Sequence, residues 1–372
     1  MKKGWPIKTL GDVCQLISGQ HIDAKDYNTE SRGVGYLTGP SDFGPLHPVI
    51  TKWTEHPKVK AKRGDVLITV KGSGVGKINL LDEDEVAISR QLMAVRVTGA
   101  EPSFVHAILS STFDHFQSLS TGAAIPGISR EQVLGLTIAL PPLAEQQRIV
   151  GLLDEAFDGL AIAKANAGKN LQNARALFES HLQSVFTHRG KGWVEKTVDK
   201  LSTNLDSKRV PITKSDRKAG EYPYYGASGI VDYVADYIFD GDALLVSEDG
   251  ANLLMRSTPI AFSVSGKYWV NNHAHILKFE NMETQRFVEF YLESIKLDEF
   301  VTGAAQPKLN QKALNSIPIP IPPKLDEQAR IVAQLDALAA ETQRLTRLYE
   351  QKQAALVALK KSLLHQAFTG EL

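Results

Sequence analysis

Two stretches of the chain, 143–187 and 325–368, contain no proline and carry apolar residues in alternating steps of four and three. In the second stretch this series runs from Ile331 through Leu335 to Leu363. The spacing keeps one stripe of a helix facing a partner helix, as in a coiled coil. The pattern therefore predicts two long helices that pair with each other.

Polar residues interrupt both predicted seams at the same place, Asn170 in the first helix and Lys352 in the second. Residues of this kind tend to fix the register of a coiled coil. Each helix would be roughly 60 Å long at about 1.5 Å per residue, or about one and a half to two turns of B-DNA. Glycines 151, 159 and 168 weaken the first helix, so two amphipathic helices on separate cores remain the alternative.

The chain also repeats itself, and the repeat includes these helices. The matching pairs are Thr-Gly-Ala-Ala at 121–124 and 302–305, Pro126 and Pro307, and Glu-Gln-Gln-Arg-Ile-Val at 145–150 with Glu-Gln-Ala-Arg-Ile-Val at 327–332. Fainter matches precede them, such as 64–67 with 241–244. Self-similarity at a nearly constant offset indicates that one structural unit occurs twice. The predicted order is a globular part, a helix, a second globular part and a second helix.

The predicted fold class is α+β, with two globular domains of mixed helix and strand separated by the two long helices. An apolar strand precedes each helix, and Pro318 and Pro320 restrict the second of these to an edge strand or an extended segment. The predicted boundaries are 1–142 for the first globular domain, 143–189 for the central helix, 190–323 for the second globular domain and 324–372 for the C-terminal helix.

Composition indicates the cellular compartment but does not indicate the function. The single cysteine, Cys14, cannot form an internal disulfide and is typical of a reducing compartment. The N-terminus does not resemble a signal peptide, and no window approaches the roughly 18 apolar residues of a membrane helix. We therefore expect a cytoplasmic protein. The 42 basic and 42 acidic residues balance, which is unusual for a protein that binds DNA alone, although basic clusters occur at 58–77 and 208–218.

The sequence resembles the specificity subunits of type I restriction enzymes. The likeness is carried by Pro-Pro-Leu-Ala-Glu-Gln-Gln-Arg-Ile-Val at 141–150, by its copy at 322–332, by Thr-Gly-Ala-Ala-Ile-Pro at 121–126 and by the C-terminal 363–372. These motifs are spread over the whole chain and follow one another in the order that is found in that family. One departure is that His-Arg-Gly at 188–190 replaces the Gly-Glu-Leu that ends the second copy.

The resemblance implies a non-catalytic DNA-recognition subunit. Two target recognition domains each read one half of a split site in double-stranded DNA, and the two helices pair antiparallel, giving a pseudo-twofold axis. The helices hold methyltransferase subunits, two in number, which bind S-adenosylmethionine and methylate adenine. A motor subunit cleaves DNA with ATP and Mg²⁺. We expect no cofactor, no metal and no catalytic residue on this chain itself.

In the first domain, a glycine-rich segment at 70–77 follows an apolar strand and carries Lys71, Ser73 and Lys77. Glycines let the backbone approach phosphate, and lysines displace its counterions. The spacing is not that of a nucleotide-binding P-loop. Arg90 and Gln91 lie between two apolar runs and have the side chains that pair with guanine and adenine in the major groove. A glycine turn and a polar bend without DNA contacts are the structural alternatives.

In the second domain the candidate residues are again polar or aromatic but of other types. They are Lys208, Arg209, Tyr224, Tyr225, Asn252, Asn271, Asn272 and His273. Asparagine can read adenine, whereas the two tyrosines have core packing as their alternative. Because the two domains differ at all the candidate positions, we predict two unlike half-sites.

Two other function classes compete with DNA recognition. A catalytic methyltransferase would need Asn or Asp before Pro-Pro and an aromatic residue after it, but Leu143 and Lys324 follow the Pro-Pro pairs. His273 and His275 alone do not make a zinc site. A coiled-coil scaffold that binds only proteins would account for the helices but not for two divergent globular domains. This scaffold remains the alternative function.

Overall fold

Contacts divide the chain into two units, and each unit takes part of both long helices. The structure is a computed structural model that describes residues 5–120, 126–303 and 306–372. Unit 1 consists of 1–167 together with 351–372, and unit 2 consists of 168–350. No described helix is both long enough and apolar enough to cross a membrane.

The globular part of unit 1 is built from short strands and helices. Its described strands are β1 (Ile7–Thr9), β2 (Cys14–Ser18), β3 (Val34–Leu37), β4 (Trp53–Thr54), β5 (Lys60–Lys62), β6 (Val66–Thr69), β7 (Ile78–Leu80), β8 (Glu85–Ile88), β9 (Leu92–Val97) and β10 (Thr137–Ala139). Its helices are α1 (Leu10–Val13), α2 (Pro102–Ser111), α3 (Phe113–Leu119), α4 (Arg130–Leu134) and the start of α5 (Leu143–Thr187), with 3₁₀ turns at Ala24–Asp26 and Pro40–Asp42. The strands pair in the orders β2-β9-β6-β7, β4-β3-β8-β5 and β1-β10.

Unit 2 repeats this plan. Its described strands are β11 (Val194–Thr197), β12 (Ser202–Asn204), β13 (Ala219–Gly226), β14 (Gly229–Val234), β15 (Phe239–Asp240), β16 (Ala243–Ser247), β17 (Ala261–Val264), β18 (Lys267–Val270), β19 (Ala274–Phe279) and β20 (Pro318–Ile321). Its helices are α6 (Val198–Leu201), α7 (Asn252–Met255), α8 (Met282–Ser294), α9 (Gln311–Ser316) and the start of α10 (Leu325–Thr369), with 3₁₀ turns at Asp206–Lys208 and Lys214–Asp216. The orders β12-β19-β16-β17, β14-β13-β18-β15 and β11-β20 match those of unit 1 strand for strand.

The correspondence extends to single side chains. Tyr36 is buried in unit 1 and its hydroxyl oxygen accepts the amide of Ile22 at 3.2 Å. Tyr224 is buried in unit 2, where its hydroxyl oxygen accepts the amide of Ile212 at 3.4 Å. These matches confirm the internal repeat that the sequence predicts. The repeated Thr-Gly-Ala-Ala motif lies partly outside the described residues, which omit 121–125, 304 and 305.

Both long helices have the lengths that the sequence predicts, since α5 and α10 each run for 45 residues from the residue after their Pro-Pro or Pro-Pro-Lys segment. Within unit 1 they run antiparallel, because Arg148 donates to the carbonyl oxygen of Leu372 at 2.9 Å while Lys360 lies 4.5 Å from the ring centre of Phe157. Within unit 2, Leu182 of α5 and Leu335 of α10 belong to one apolar core. Among the described strands, β10 pairs only with β1 and β20 only with β11, which confirms the edge position of Pro318 and Pro320.

The strict heptad holds only in part in the second half of α5. Asn170 and Lys352, predicted to interrupt the seam, are exposed. The buried or half-buried series of α5 around Asn170 is instead Ala167, Leu171, Ala174, Phe178 and Leu182. These steps of four, three, four and four follow the 3.6-residue period of a straight helix, which drifts from a seven-residue repeat by about 20° per heptad.

Candidate nucleic-acid interface

The glycine-rich loop of unit 1 joins β6 to β7 and presents its polar side chains to solvent. Gly76 has a φ of +82°, and its amide donates to the carbonyl oxygen of Thr69 at 2.9 Å. A Cβ atom at Gly76 would lie 3.0 Å from Cβ of Phe116, so the loop is held close to the core here. Lys71, Ser73 and Lys77 are all exposed.

A second loop, 89–91, lies against the first. The amide of Val70 donates to the carbonyl oxygen of Gln91 at 2.8 Å, and the buried Ser89 anchors the loop through a 2.6 Å hydrogen bond to the carbonyl oxygen of Thr38. Arg90 and Gln91 are exposed. The structure therefore brings all five predicted residues of the first domain onto two adjoining loops.

A third segment, 126–128, completes this surface. The amide of Gly72 donates to the carbonyl oxygen of Pro126 at 2.9 Å. The amide of Ile128 donates to the carbonyl oxygen of Val70 at 3.0 Å. We call the segments 70–77, 89–91 and 126–128 the unit-1 loop cluster. Its backbone is fixed by hydrogen bonds between segments, which leaves the side chains of the exposed residues available for a ligand.

Unit 2 builds the same arrangement from 248–252, 271–273 and 307–309, the unit-2 loop cluster. The amide of Glu248 donates to the carbonyl oxygen of His273 at 2.8 Å, and the amide of Gly250 donates to that of Pro307 at 3.0 Å. The amide of Leu309 donates to the carbonyl oxygen of Glu248 at 2.8 Å. These three hydrogen bonds correspond one for one to those of unit 1, so the loops can be compared position by position.

The equivalent positions carry unlike chemistry. Asp249 in unit 2 stands where unit 1 has Lys71, and His273 stands where unit 1 has Gln91. The Nδ1 atom of His273 lies 2.9 Å from both carboxylate oxygens of Asp249, and the imidazole is about half exposed. Unit 1 thus presents cations and an amide, whereas unit 2 presents a histidine backed by a carboxylate.

Not all the predicted residues of the second domain reach the surface. Lys208, Asn272 and His273 are exposed. Tyr224 is 1% exposed and Tyr225 packs against Phe262 and Tyr268, which favours the core-packing alternative for both tyrosines.

Asn252 and Asn271 use their side chains to brace the loops. Asn252 donates to the carbonyl oxygen of Thr258 at 2.9 Å and accepts from the amide of that residue at 3.0 Å. Asn271 is 8% exposed and accepts the amide of His273 at 2.8 Å. A base contact by either asparagine would have to replace these bonds.

Sequence reasoning missed Lys308, which lies in the unit-2 loop cluster opposite Asp249. Its ammonium group lies 3.1 Å from a carboxylate oxygen of Glu248, and about half of its side chain is exposed. The repeat holds the signal that could have found it, because Lys308 directly follows Pro307 and Pro307 matches Pro126. Gly127 occupies the equivalent position in unit 1.

The basic cluster at 58–77 is partly neutralised. Lys60 pairs with Glu85 at 2.6 Å and Arg63 pairs with Asp84 at 2.9 Å, so these cations are balanced by neighbouring acids. Within the described residues, Lys71, Lys77 and Arg90 form no such ion pair. The cations of the unit-1 loop cluster are therefore available for a ligand, although the chain as a whole carries no net charge.

Arg209 lies beneath the unit-2 loop cluster in a group of buried charges. Its guanidinium donates to Glu248 at 2.6 Å and to the carbonyl oxygen of Ala274 at 2.8 Å. His275 lies between a carboxylate oxygen of Asp206, 2.5 Å from Nδ1, and the carbonyl oxygen of Leu309, 2.7 Å from Nε2. Arg209 thus supports the loops from within.

The pKa values of the two carboxyl groups agree with this pairing. Burial alone would raise the pKa of Asp206, but the hydrogen bond and charge of His275 lower it overall. Burial likewise opposes ionisation of Glu248, and the hydrogen bond from Arg209 lowers its pKa. Donor atoms of Asp206, Glu248 and His275 lie within 4.8 Å of one another, but the cations and amides around them already occupy these atoms. The group is a closed ion network and does not fit a metal ion.

Three comparisons place these observations among known proteins. Residues 2–170 and 190–354 match the family model described as the type I restriction modification DNA specificity domain, in two copies. A Haemophilus influenzae protein assigned as type I restriction enzyme specificity subunit S.HindORF215P is 40% identical over 147 residues, 40% of this chain. The MjaX specificity subunit assigned in Methanocaldococcus jannaschii is 29% identical over 175 residues, 46% of this chain. The matches cover 37% and 40% of those relatives' own lengths.

Solved structures show the same fold. A chain from a study described as the structural basis underlying complex assembly and conformational transition of the type I R-M system has a TM-score of 0.81 and 20% identity, over 100% of this chain and 99% of that one. The HsdS subunit from Thermoanaerobacter tengcongensis has a TM-score of 0.64 and 20% identity, over 100% of this chain and 98% of that one.

Proposed function

The chain belongs to the family of type I restriction modification DNA specificity domains, and on this premise we propose that it is the DNA-reading subunit of a type I restriction–modification enzyme. Each unit reads one half of a bipartite site in double-stranded DNA. The long helices hold the subunits that act on the DNA, so that this chain decides which adenine is offered to them.

One observation carries the proposal. Two copies of one fold present equivalent loop clusters on equivalent hydrogen bonds, but the exposed side chains of the clusters differ. A scaffold that binds only proteins has no need to keep the loop backbone and change its side chains. A reader of a split site with unlike halves needs both features, because the frame positions the loops and the side chains select the bases.

The side chains of the unit-1 loop cluster have distinct roles in this proposal. Lys71 and Lys77 flank a backbone of glycines and neutralise DNA phosphates, with Ser73 as a further hydrogen-bond donor. Arg90 and Gln91 have the geometry for two-bond contacts with guanine and adenine in the major groove. In the unit-2 loop cluster, Asn272 and His273 take the base-reading role and Lys208 and Lys308 the phosphate-binding role.

In this proposal the catalytic steps belong to the partner subunits. We infer that two methyltransferase subunits bind S-adenosylmethionine and methylate adenine after flipping it from the duplex, and that a motor subunit uses ATP and Mg²⁺. This chain supplies no catalytic group and binds no cofactor. The closed ion network of unit 2 supports this assignment, because the side chains in it that could bind a metal already contact one another and Arg209. The complex works in the cytoplasm, where the host DNA lies.

One experiment distinguishes DNA recognition by this chain from catalysis and from a purely protein-binding role. The chain and its methyltransferase subunit are purified apart and together, and transfer of labelled methyl groups from S-adenosylmethionine to DNA is measured. We expect transfer only from the mixture, with competition only by DNA that contains the site. Methyl transfer by this chain alone would show that it is an enzyme. A mixture that binds all DNA sequences equally would favour the protein-binding scaffold.

A further inference from the structure

The buried ion network of unit 2 fixes the protonation of His275. This histidine lies on β19 and is 1% exposed. A backbone carbonyl oxygen can only accept a hydrogen bond, so Nε2, 2.7 Å from the carbonyl oxygen of Leu309, carries a proton. Nδ1 lies 2.5 Å from Asp206, whose second oxygen accepts the amide of Ile276 at 2.9 Å. With Asp206 ionised, both ring nitrogens donate and His275 is an imidazolium.

This cation links two segments of the unit-2 loop cluster to the 3₁₀ turn Asp206–Lys208. Leu309 belongs to the 307–309 segment of the unit-2 loop cluster. Glu248, 3.8 Å from Nδ1 of His275, opens the 248–252 segment and is bridged to Arg209 and Lys308. Asp206 begins the 3₁₀ turn that carries the exposed Lys208. His275 therefore lies at the point where three loop segments are joined from below.

Unit 1 has the same backbone without these charges. Strand registers align His275 with Met93, because Val246 faces His275 as Ile68 faces Met93. Ser18 and Val70 stand where unit 2 has Asp206 and Glu248. An uncharged arrangement is thus sufficient for this fold. Buried ionic groups add little net stability compared with apolar residues of similar volume, so their presence in unit 2 calls for a positional role.

We propose that His275, as an imidazolium, is a positioning residue for the unit-2 loop cluster, and that reading of the half-site by unit 2 depends on this buried residue whereas reading by unit 1 depends on no such charge. The inference rests on the proposed function. The groups that face His275 are the carboxylates of Asp206 and Glu248; Arg209 contacts both carboxylates, and Lys308 contacts Glu248. Removing the imidazole takes away the donors that join the 307–309 segment, through Leu309, to the turn that begins at Asp206.

The experiment measures half-site discrimination by the complex with the methyltransferase. Binding to the methylated motif is compared with binding to DNA altered in one half only. We expect His275→Met, which installs the residue of unit 1, to lower discrimination at the half read by unit 2 about tenfold, within the range of one lost base contact, and to leave discrimination at the other half unchanged. The control His188→Gln, at an exposed histidine directly after α5 and outside the loop clusters, keeps the wild-type discrimination at both halves.

A second measurement does not depend on DNA. The ¹⁵N shifts of the His275 ring in the full chain, assigned by comparison with His275→Met, report how many ring nitrogens are protonated at pH 7. Two protonated nitrogens are expected, and a neutral ring would overturn the inference even if the proposed function holds. Wild-type discrimination at both halves in His275→Met would also overturn it. Sequence-independent binding by the wild-type complex together with a doubly protonated ring would instead count against the proposed function.

Discussion

Neutralising single lysines of the unit-1 loop cluster separates phosphate contacts from base contacts. Lys71 and Lys77 are exposed and have no ion pair with the described residues, so each is available for one phosphate. Replacing either by glutamine removes one charge without removing hydrogen-bonding capacity. Lys62→Gln is the matched control, because Lys62 is also exposed but lies on β5 opposite Glu85 in the strand register, at the far end of β8 from loop 89–91.

The size of the effect follows from counterion release. Each lost phosphate contact lowers the slope of log K against log salt concentration by about 0.9. Between about 50 and 200 mM salt, the variant then loses roughly threefold less affinity than the wild type. Because phosphates carry no base information, the preference for the correct site stays the same. Arg90→Gln behaves differently, since loss of a two-bond base contact costs about 1–3 kcal/mol of discrimination at one base pair.

Fluorescence anisotropy of labelled DNA with the assembled methyltransferase complex, over a salt series, measures both quantities. The account predicts reduced slopes for Lys71→Gln and Lys77→Gln and a wild-type slope for Lys62→Gln. Equal slopes in all four proteins would refute the placement of phosphates on this cluster. Arg90→Gln with unchanged discrimination at every base pair would refute the reading role of that arginine.

Two further predictions concern the stability of unit 1. Burial, with His47 and Lys360 nearby, lowers the pKa of His106 from 6.5 to about 4; the unfolded chain therefore binds more protons between these values, and stability falls by up to about 3 kcal/mol as the pH drops through them. Urea unfolding should show this loss in wild type and not in His106→Gln, and parallel pH curves would contradict it. Arg96 donates to both oxygens of Asp65, whose side chain is 4% exposed, so Arg96→Met should cost about 3 kcal/mol in the same assay; a cost under about 1 kcal/mol would show that Asp65 is satisfied without it.

The sequence predicts the elements of this fold better than their exact packing. The absence of proline after each Pro-Pro pair and the apolar periodicity suffice to bound both long helices. The seam shifts at Asn170 because α5 keeps its own 3.6-residue period, and a polar residue at a predicted seam position does not reveal that drift. The contacts also group each helix with both units, which the linear boundaries at 143–189 and 324–372 do not express.

The sequence predicts the candidate site only where its residues are close together along the chain. Glycines and polar residues between apolar strands mark Lys71, Ser73 and Arg90 correctly as exposed loop residues. The same signal also marks Tyr224 and Asn271, which are buried, because local composition does not show whether a loop side chain turns inward. The ion network joins Asp206, far along the chain, to His275, and such long-range pairing has no local pattern.

The central claim is that the two units read two unlike halves of one DNA site. The most direct measurement is a methylome of a methylation-free host that expresses this chain with its methyltransferase subunit, with the wild type and the variants Arg90→Gln and His273→Gln in parallel. The account predicts N6-methyladenine in a split motif with two unlike halves and a fixed gap, with Arg90→Gln relaxing one half and His273→Gln the other. Identical halves, both variants relaxing the same half, or no new methylation from a soluble complex would contradict it.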